Sequence, residues 1–422
     1  MKYVIIIPDG CSDWKIASLG NRTPLQAASL PNIQALARSG TIGQSCYVPD
    51  GLPPGSDVAT LGLLGYDAVQ HYTGRAPLEA AAQGIDLSES DWAIRCNLVT
   101  VNSVTVNSGD AGGDMMQSFS AGHIESGEAA ELMQTLNTEL AGKLPTATQC
   151  ALQSCALQFY PSVGYRNLAI LRNCQELPFD QSTKTCAPHD YADKLIAEAL
   201  PTGKGNDLLR FLMEESKGIF SNHPVNQKRI QSGKLPATQI WLWGLGQKPS
   251  LPLFRNKVAP VRGAMITAVD LLKGIATLIG WDIINVPGIT GYTDTDFSAK
   301  GVYAAEALKQ YDIVCVHIEA PDESGHEGNV AQKIWSMEQI DSKVIPPILE
   351  ALRSYGDWRL FLSPDHPTPC ELKTHTSESV PWLLSGSGQS AMSLEFNEDT
   401  AKTSPHHFET GWKTIDMLFA QK

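Results

Sequence analysis

Basic residues are in short supply. The chain has 32 Lys and Arg against 45 Asp and Glu, a formal charge of −13 over 422 residues. A nucleic-acid binder needs cationic surface for phosphates, so this balance argues against that class of partner. Long apolar runs are missing as well: none reaches the roughly 18 residues of a membrane span. In Met1-Lys2-Tyr3-Val4-Ile5-Ile6-Ile7-Pro8-Asp9-Gly10 the apolar part is too short for a secretory leader. Acidic Asp9 follows at once, with no small-residue cleavage site. The stretch reads as a first β-strand, and the protein as cytoplasmic. The nine Cys are scattered without a Cys-x-x-Cys pair, which argues against a disulfide framework or a thiolate zinc site. There is no Gly-x-x-x-x-Gly-Lys-Ser/Thr loop to cradle a nucleotide, no internal repeat and no low-complexity tract.

What is present is an ordinary globular composition, 42% hydrophobic and 18% charged, with 35 Gly and 26 Pro punctuating short elements. The length favours two or three domains. Tyr3–Ile7, Tyr311–Ile318 and Trp358–Ser363 are continuous apolar, β-branched-rich runs, the pattern of strands buried on both faces of a parallel sheet. A helical stretch at about 330–351 lies between the last two. This order predicts an α/β core with a largely parallel sheet flanked by helices. A helix is expected from Thr23 to Gly40, with Pro near its start and Gly past its end. From about Ile85 to Lys257 strands are shorter and polar loops longer. Strands are expected at Ala93–Val101, Val104–Val106 and Arg166–Leu171, and helices at Ser126–Ala141 and Asp207–Ser216. The expected organisation is therefore a core of 1–84 and 258–422 interrupted by a smaller inserted α+β domain, 85–257.

Chemistry-bearing residues sit just beyond the core strands, where ligands bind in open α/β sheets. Asp9 ends the first strand. Asp322 and His326 follow Tyr311–Ile318. Asp365 and His366 follow Trp358–Ser363, and His375 precedes the expected strand Val380–Leu384. Three carboxylates and three imidazoles at one sheet edge suit Mn, Zn or Mg and are enough for two ions. In Pro53-Pro54-Gly55-Ser56-Asp57 the turn leaves Ser56 at a helix start. There it reads either as a simple cap or as a nucleophile at a phosphate-binding helix end.

Several motifs stand in order: Pro8-Asp9-Gly10, Pro53-Pro54-Gly55-Ser56-Asp57, Gly65-Tyr66-Asp67, Tyr72-Thr73-Gly74-Arg75-Ala76-Pro77-Leu78-Glu79-Ala80, Ala320-Pro321-Asp322-Glu323-Ser324-Gly325-His326 and Pro364-Asp365-His366-Pro367-Thr368-Pro369. The set resembles the cofactor-independent phosphoglycerate mutases of the archaeal type, in the alkaline phosphatase superfamily, over nearly the whole chain. The resemblance implies one divalent ion on Asp322, His326 and His375, and a second on Asp9, Ser56, Asp365 and His366. It implies a phosphoserine at Ser56, no need for 2,3-bisphosphoglycerate, and an insert that closes over a small anionic phosphorylated substrate. A homo-oligomer is compatible with it. Arg75, Arg95, His123 and His189 are the candidate substrate-binding residues, with Arg75 and Lys300 also offered as charge-neutralising catalytic groups. His317, in mid-strand, reads as a core or supporting histidine.

One departure stands out. The archaeal mutases carry an Arg-rich stretch in the insert. Here the region runs Gly109-Asp110-Ala111-Gly112-Gly113-Asp114, then Phe119-Ser120-Ala121-Gly122-His123-Ile124, without Arg. That pattern, with Pro188-His189-Asp190, His223-Pro224-Val225-Asn226 and Trp241-Leu242-Trp243-Gly244, resembles a bacterial branch of the family proposed as homoserine kinases. The alternative activity is thus phosphorylation of homoserine in threonine biosynthesis at the same metal centre. An acidic partner such as Asp110, Asp114 or Asp190 would then meet the ammonium group.

Overall fold

The computed structural model describes residues 1–104, 112–140, 155–174 and 176–420. The chain divides into two compact units, 1–72 with 250–422, and 73–249. The strands in chain order are β1 (Lys2–Pro8), β2 (Thr41–Ser45), β3 (Trp92–Val104), β4 (Gly113–Ser118), β5 (Ala156–Tyr160), β6 (Arg166–Arg172), β7 (Gln239–Gln247), β8 (Gly263–Ile266), β9 (Asp282–Ile283), β10 (Ile313–Ile318), β11 (Trp358–Leu362), β12 (Val380–Gly386) and β13 (His407–Phe408).

The first unit carries a sheet in the order β13-β2-β12-β11-β1-β10-β8-β9. β1 is its centre, parallel to β10 on one side and β11 on the other. β12 alone runs against the rest, since both β11 and β2 pair with it antiparallel. Val4 to Ile7 are fully buried, as expected for a strand covered on both faces. Each such side chain contributes about 1.5–3 kcal/mol relative to exposure. Val4 and Ile6 pack in one cluster with Leu36, Phe297 and Ile348 from the flanking helices. Two expected helices are modified locally. The 23–40 stretch forms two helices, Pro24–Ala27 and Pro31–Ser39, because Pro31 has no N–H to continue the first. The 330–351 stretch runs as Val330–Gln339 and Ile345–Arg353, joined through a π-helical turn at Ile340–Val344.

The second unit is an antiparallel sheet in the order β4-β3-β6-β5, with β7 paired to the other part of β3. Its core joins Ile94, Cys96 and Leu98 to Leu132, Met133, Leu209 and Leu212 of the helices Ser126–Glu139 and Asn206–Ser221. The expected strands at 93–101 and 104–106 are one strand through Val104; residues 105 and 106, with Asp110 and Ala141, lie outside the described residues. The boundary also moves. The helix Arg75–Ala82 belongs to the second unit, not the core, because Ala76 and Ala80 pack on Ala93, Leu168 and Ile170 of β3 and β6. Chain exit and return lie together. Thr73 Oγ1 donates to the Gln247 carbonyl at 2.6 Å, and His71 Nδ1 lies 2.7 Å from that of Ser250. Residue 74 must be glycine, at φ 137°, since a Cβ there would strike the Leu245 carbonyl oxygen. No described helix is long and apolar enough to cross a membrane.

Candidate active site and metal centre

β1, β10 and β11 are parallel neighbours, so the segments that leave their carboxyl ends emerge side by side: Asp9, the helix Ala320–Glu327 and the loop 363–376. The helix Ser56–Leu63 brings Ser56 to the same edge. Ser56 Oγ donates to Asp9 Oδ2 (3.1 Å) and lies 3.2 Å from His366 Nε2. Gly55 is the helix cap and Ser56 the first helical residue. The capping role open to Ser56 in the sequence is therefore not the one it takes: its hydroxyl goes to Asp9 and His366.

His326 and His375 turn their Nε2 atoms toward each other at 2.9 Å. Asp322 approaches both, 3.2 Å from His326 and 3.5 Å from His375. Ligand atoms of Asp322, His366 and His375 lie within 4.8 Å of one another, as do those of Asp9, Asp365 and His366. All seven metal-site residues named from the sequence thus share one sheet edge, with His366 between the two sets.

The electrostatics fit divalent ions. Asp9 Oδ1 and Asp365 Oδ2 are buried without a hydrogen-bond partner, and such atoms are costly unless something coordinates them. Burial, then the Asp365 and Asp322 carboxylates, push Asp9 well above the usual carboxylate range. Burial also acts on Asp322, but hydrogen bonds from His326 and His375 outweigh it and hold Asp322 well below that range. For His326 burial opposes the charge, yet the Asp322 carboxylate wins and raises the imidazole to about 9. Paired carboxylates with orphaned oxygens, facing converging imidazoles, form a mixed O/N donor set for borderline or hard divalent cations.

Two supporting residues, Glu319 and Thr368, were given no role from the sequence; His317 takes the supporting place expected for it. Glu319 follows β10 directly, and its carboxylate lies 3.6 Å from His317 Nε2; the strand-end rule applied one residue earlier would have found it. Thr368 donates its hydroxyl to Asp322 Oδ1. His317 is fully buried, with Nε2 2.8 Å from Asp9 Oδ2 and Nδ1 3.1 Å from Thr267 Oγ1, so it orients Asp9 from beneath. Lys300 is placed differently from the direct charge-neutralising role suggested for it. It is fully buried and donates to the His317 carbonyl oxygen at 2.8 Å. Burial draws its ammonium down to about 8, against the pull of Glu319. Gly10, at φ 59°, is required: a Cβ would collide with the Asp322 carboxylate and the Thr368 hydroxyl. Gly10→Ala is expected to lower Mn²⁺ affinity at least about tenfold. It should also destabilise the metal-free protein by about 1–3 kcal/mol. A Mn²⁺ titration and urea unfolding check the two effects.

The candidate substrate residues belong to the second unit. Arg95, nearly buried, pairs with Glu79 at 3.0 Å and stacks on Trp243 at 4.1 Å. Arg75 begins the helix Arg75–Ala82, and its Cβ lies across Gly244 from the Arg95 side chain. His189 stands edge-on to Trp243, with ring centroids 5.6 Å apart. Burial holds His189 below its ordinary value, opposed by Asp190 and reinforced by Arg95, Arg75 and Arg166. Arg75, Arg95 and Arg166, from a helix and two strands, thus all act on His189 of a short 3₁₀ turn and favour its neutral form. No described contact joins His123 to these residues. His123 is exposed, on a turn in which Ala121, Gly122 and His123 all have left-handed φ (48°, 60°, 52°) and Ala121 is buried. Arg229 Nη2 holds that turn through the Ala121 carbonyl oxygen (2.6 Å), and Ser118 Oγ accepts from the Gly122 N–H (2.9 Å).

Comparison with known proteins agrees with this architecture. A family model described as 2,3-bisphosphoglycerate-independent phosphoglycerate mutase matches residues 37–226. The chain is 42% identical over 423 residues to the 2,3-bisphosphoglycerate-independent phosphoglycerate mutase of Methanothrix thermoacetophila, covering all of both chains. It belongs to that family. It is also 41% identical to a probable mutase of the same description from Geobacter sulfurreducens, with 99% of each chain covered. Among solved structures, a Pyrococcus horikoshii protein superposes with a TM-score of 0.77 at 26% identity, over 100% of this chain and 98% of that one. The cofactor-independent phosphoglycerate mutase of Thermoplasma acidophilum, at 23% identity and a TM-score of 0.63 over 99% of each chain, shares the fold. For this mutase family member, the α/β core with its inserted unit is the family architecture, and the Asp/His clusters are its candidate divalent-metal sites.

Proposed function

We propose that the chain interconverts 3-phosphoglycerate and 2-phosphoglycerate through a phosphoserine at Ser56. The observation that carries this reading is the Ser56 hydroxyl, held between Asp9 and His366 at a helix start within the Asp/His edge. Two divalent ions, Mn, Mg or Zn, held by Asp322, His326 and His375 and by Asp9, Ser56, Asp365 and His366, would stabilise charge on the transferring phosphoryl group. Asp9 Oδ2 already accepts the Ser56 hydroxyl hydrogen bond, so it is placed to draw the proton as Oγ attacks phosphorus. Asp9 passes that proton to the leaving glycerate oxygen, and in the return transfer it takes the accepting hydroxyl's proton and restores it to Ser56 Oγ. Glycerate then receives the phosphoryl group back on its other hydroxyl, which makes 2,3-bisphosphoglycerate unnecessary. Arg75, Arg95 and Arg166 offer the planar cations that a carboxylate and a phosphate need, beside His189, with His123 on its clamped turn. The insert serves as the substrate-closing part, since water reaching the phosphoserine would turn the mutase into a phosphatase. X-ray scattering with and without a substrate analogue checks closure, and identical profiles would count against it. The enzyme works in the cytoplasm on a small anion, without nucleic acid.

A paired assay on one Mn²⁺-loaded preparation tests the reading. One arm follows 2-phosphoglycerate formed from 3-phosphoglycerate without nucleotide; the other follows ATP-dependent phosphorylation of homoserine. Turnover in the first arm is expected. Turnover confined to the second would replace the substrate while leaving the Ser56 chemistry in place.

A further inference from the structure

Below the ligand loops lies a second charged pair that metal coordination does not use. Lys333, on the helix Val330–Gln339, is fully buried. Its ammonium has three N–H donors, and three acceptors surround it: Asp13 Oδ2 at 2.8 Å, the Ser12 carbonyl at 3.3 Å and the Thr368 carbonyl at 2.7 Å. Ser12 and Asp13 belong to the segment that begins at Asp9. Thr368 belongs to the loop that carries Asp365 and His366, and its hydroxyl reaches Asp322. Asp13 Oδ2 also accepts the Cys370 N–H at 3.1 Å, and the Thr368 N–H reaches the Ser12 carbonyl at 3.2 Å. Glu398 closes the far side, accepting from the Thr23 hydroxyl (2.7 Å) and the Asp13 N–H (3.3 Å).

A buried ion pair is a poor way to gain stability, because desolvating two charges offsets most of their attraction; fixing registry is its best-attested use. Here one ammonium binds backbone oxygens from two ligand-bearing loops that are far apart in sequence, and one of those residues holds a ligand of the third segment. We propose that Lys333 and Asp13 are positioning residues for the metal pair, setting the spacing between the Asp9, Asp322 and Asp365–His366 segments. The inference rests on the metal reading above and goes beyond it by assigning the site's geometry to residues that touch neither ion nor substrate.

The test is Mn²⁺ binding followed by calorimetry on purified, chelator-treated protein, beside circular dichroism and a melting curve. Lys333→Met alone leaves Asp13 buried and unpaired, so the decisive variant is Asp13→Asn with Lys333→Gln, which removes both charges and keeps hydrogen-bonding groups. The expected double variant has the parent's circular dichroism and binds Mn²⁺ about 10–100-fold more weakly, the usual effect of losing an outer partner. Adding excess Mn²⁺ should restore turnover. A folded double variant with the parent's isotherm overturns the proposal, as does one that fails to fold, since either assigns the pair to the fold alone. A parent protein that binds fewer than two Mn²⁺ overturns the metal reading instead.

Discussion

Ser56→Ala is expected to lower turnover of 3-phosphoglycerate by at least about 10⁴-fold, the scale on which losing a nucleophile acts. The fold should survive. Gly55, not Ser56, caps the helix, so the helix start keeps its conformation, and Asp9 keeps its contact with His317. Only two hydrogen bonds, to Asp9 and His366, are lost. Mass spectrometry of the parent, quenched during turnover, should show one added phosphoryl group on the peptide containing Ser56, absent from the variant. Near-parental turnover in the variant would reduce Ser56 to a structural residue.

Mn²⁺ affinity should rise by up to about tenfold per pH unit between pH 7 and 9, and binding at pH 7 should release a proton. His326 must be neutral to ligate, yet in the metal-free protein the Asp322 carboxylate keeps its proton on up to about pH 9. A histidine raised from about 6.5 to about 9 on folding contributes stability that is fully present below pH 6.5 and is lost as pH rises through 9. Metal-free protein therefore loses this contribution over the same interval in which metal binding strengthens. Calorimetry in two buffers of different ionisation enthalpy counts the proton. An affinity flat from pH 7 to 9 would remove His326 from the ligand set.

The core strands and the candidate Asp/His clusters at their ends were legible because both signals are local. An apolar β-branched run marks a buried strand, and an Asp or His just past it marks the functional edge. The surroundings of the insert's arginines were only partly legible. Arg95 meets Trp243 because β3 and β7 pair with those residues opposite each other, and no window of sequence contains that register. The helix Arg75–Ala82 was assigned to the wrong unit because its small apolar face, Ala76 and Ala80, says nothing about which sheet it covers. Lys333 and Asp13 were invisible for a similar reason. A lysine in an amphipathic helix normally points to water, and its burial depends on a partner 320 residues away. The burial of Lys300 is likewise invisible in sequence, since it comes from tertiary packing around β10.

The central position of β1 bears on how the chain is made. Its partners β10 and β11 leave the ribosome about 300 and about 350 residues after it, which at about 5–20 residues per second is a wait of roughly 15–70 s. The insert has no such wait. Its last strand ends at Gln247 and every described strand it pairs with comes earlier, so it is the first part of the molecule able to fold during translation. Meanwhile Tyr3–Ile7 remains an apolar segment with both edges unpaired, the kind of surface that recruits chaperones or other nascent chains. The strand that anchors the finished enzyme is thus its most exposed liability during synthesis.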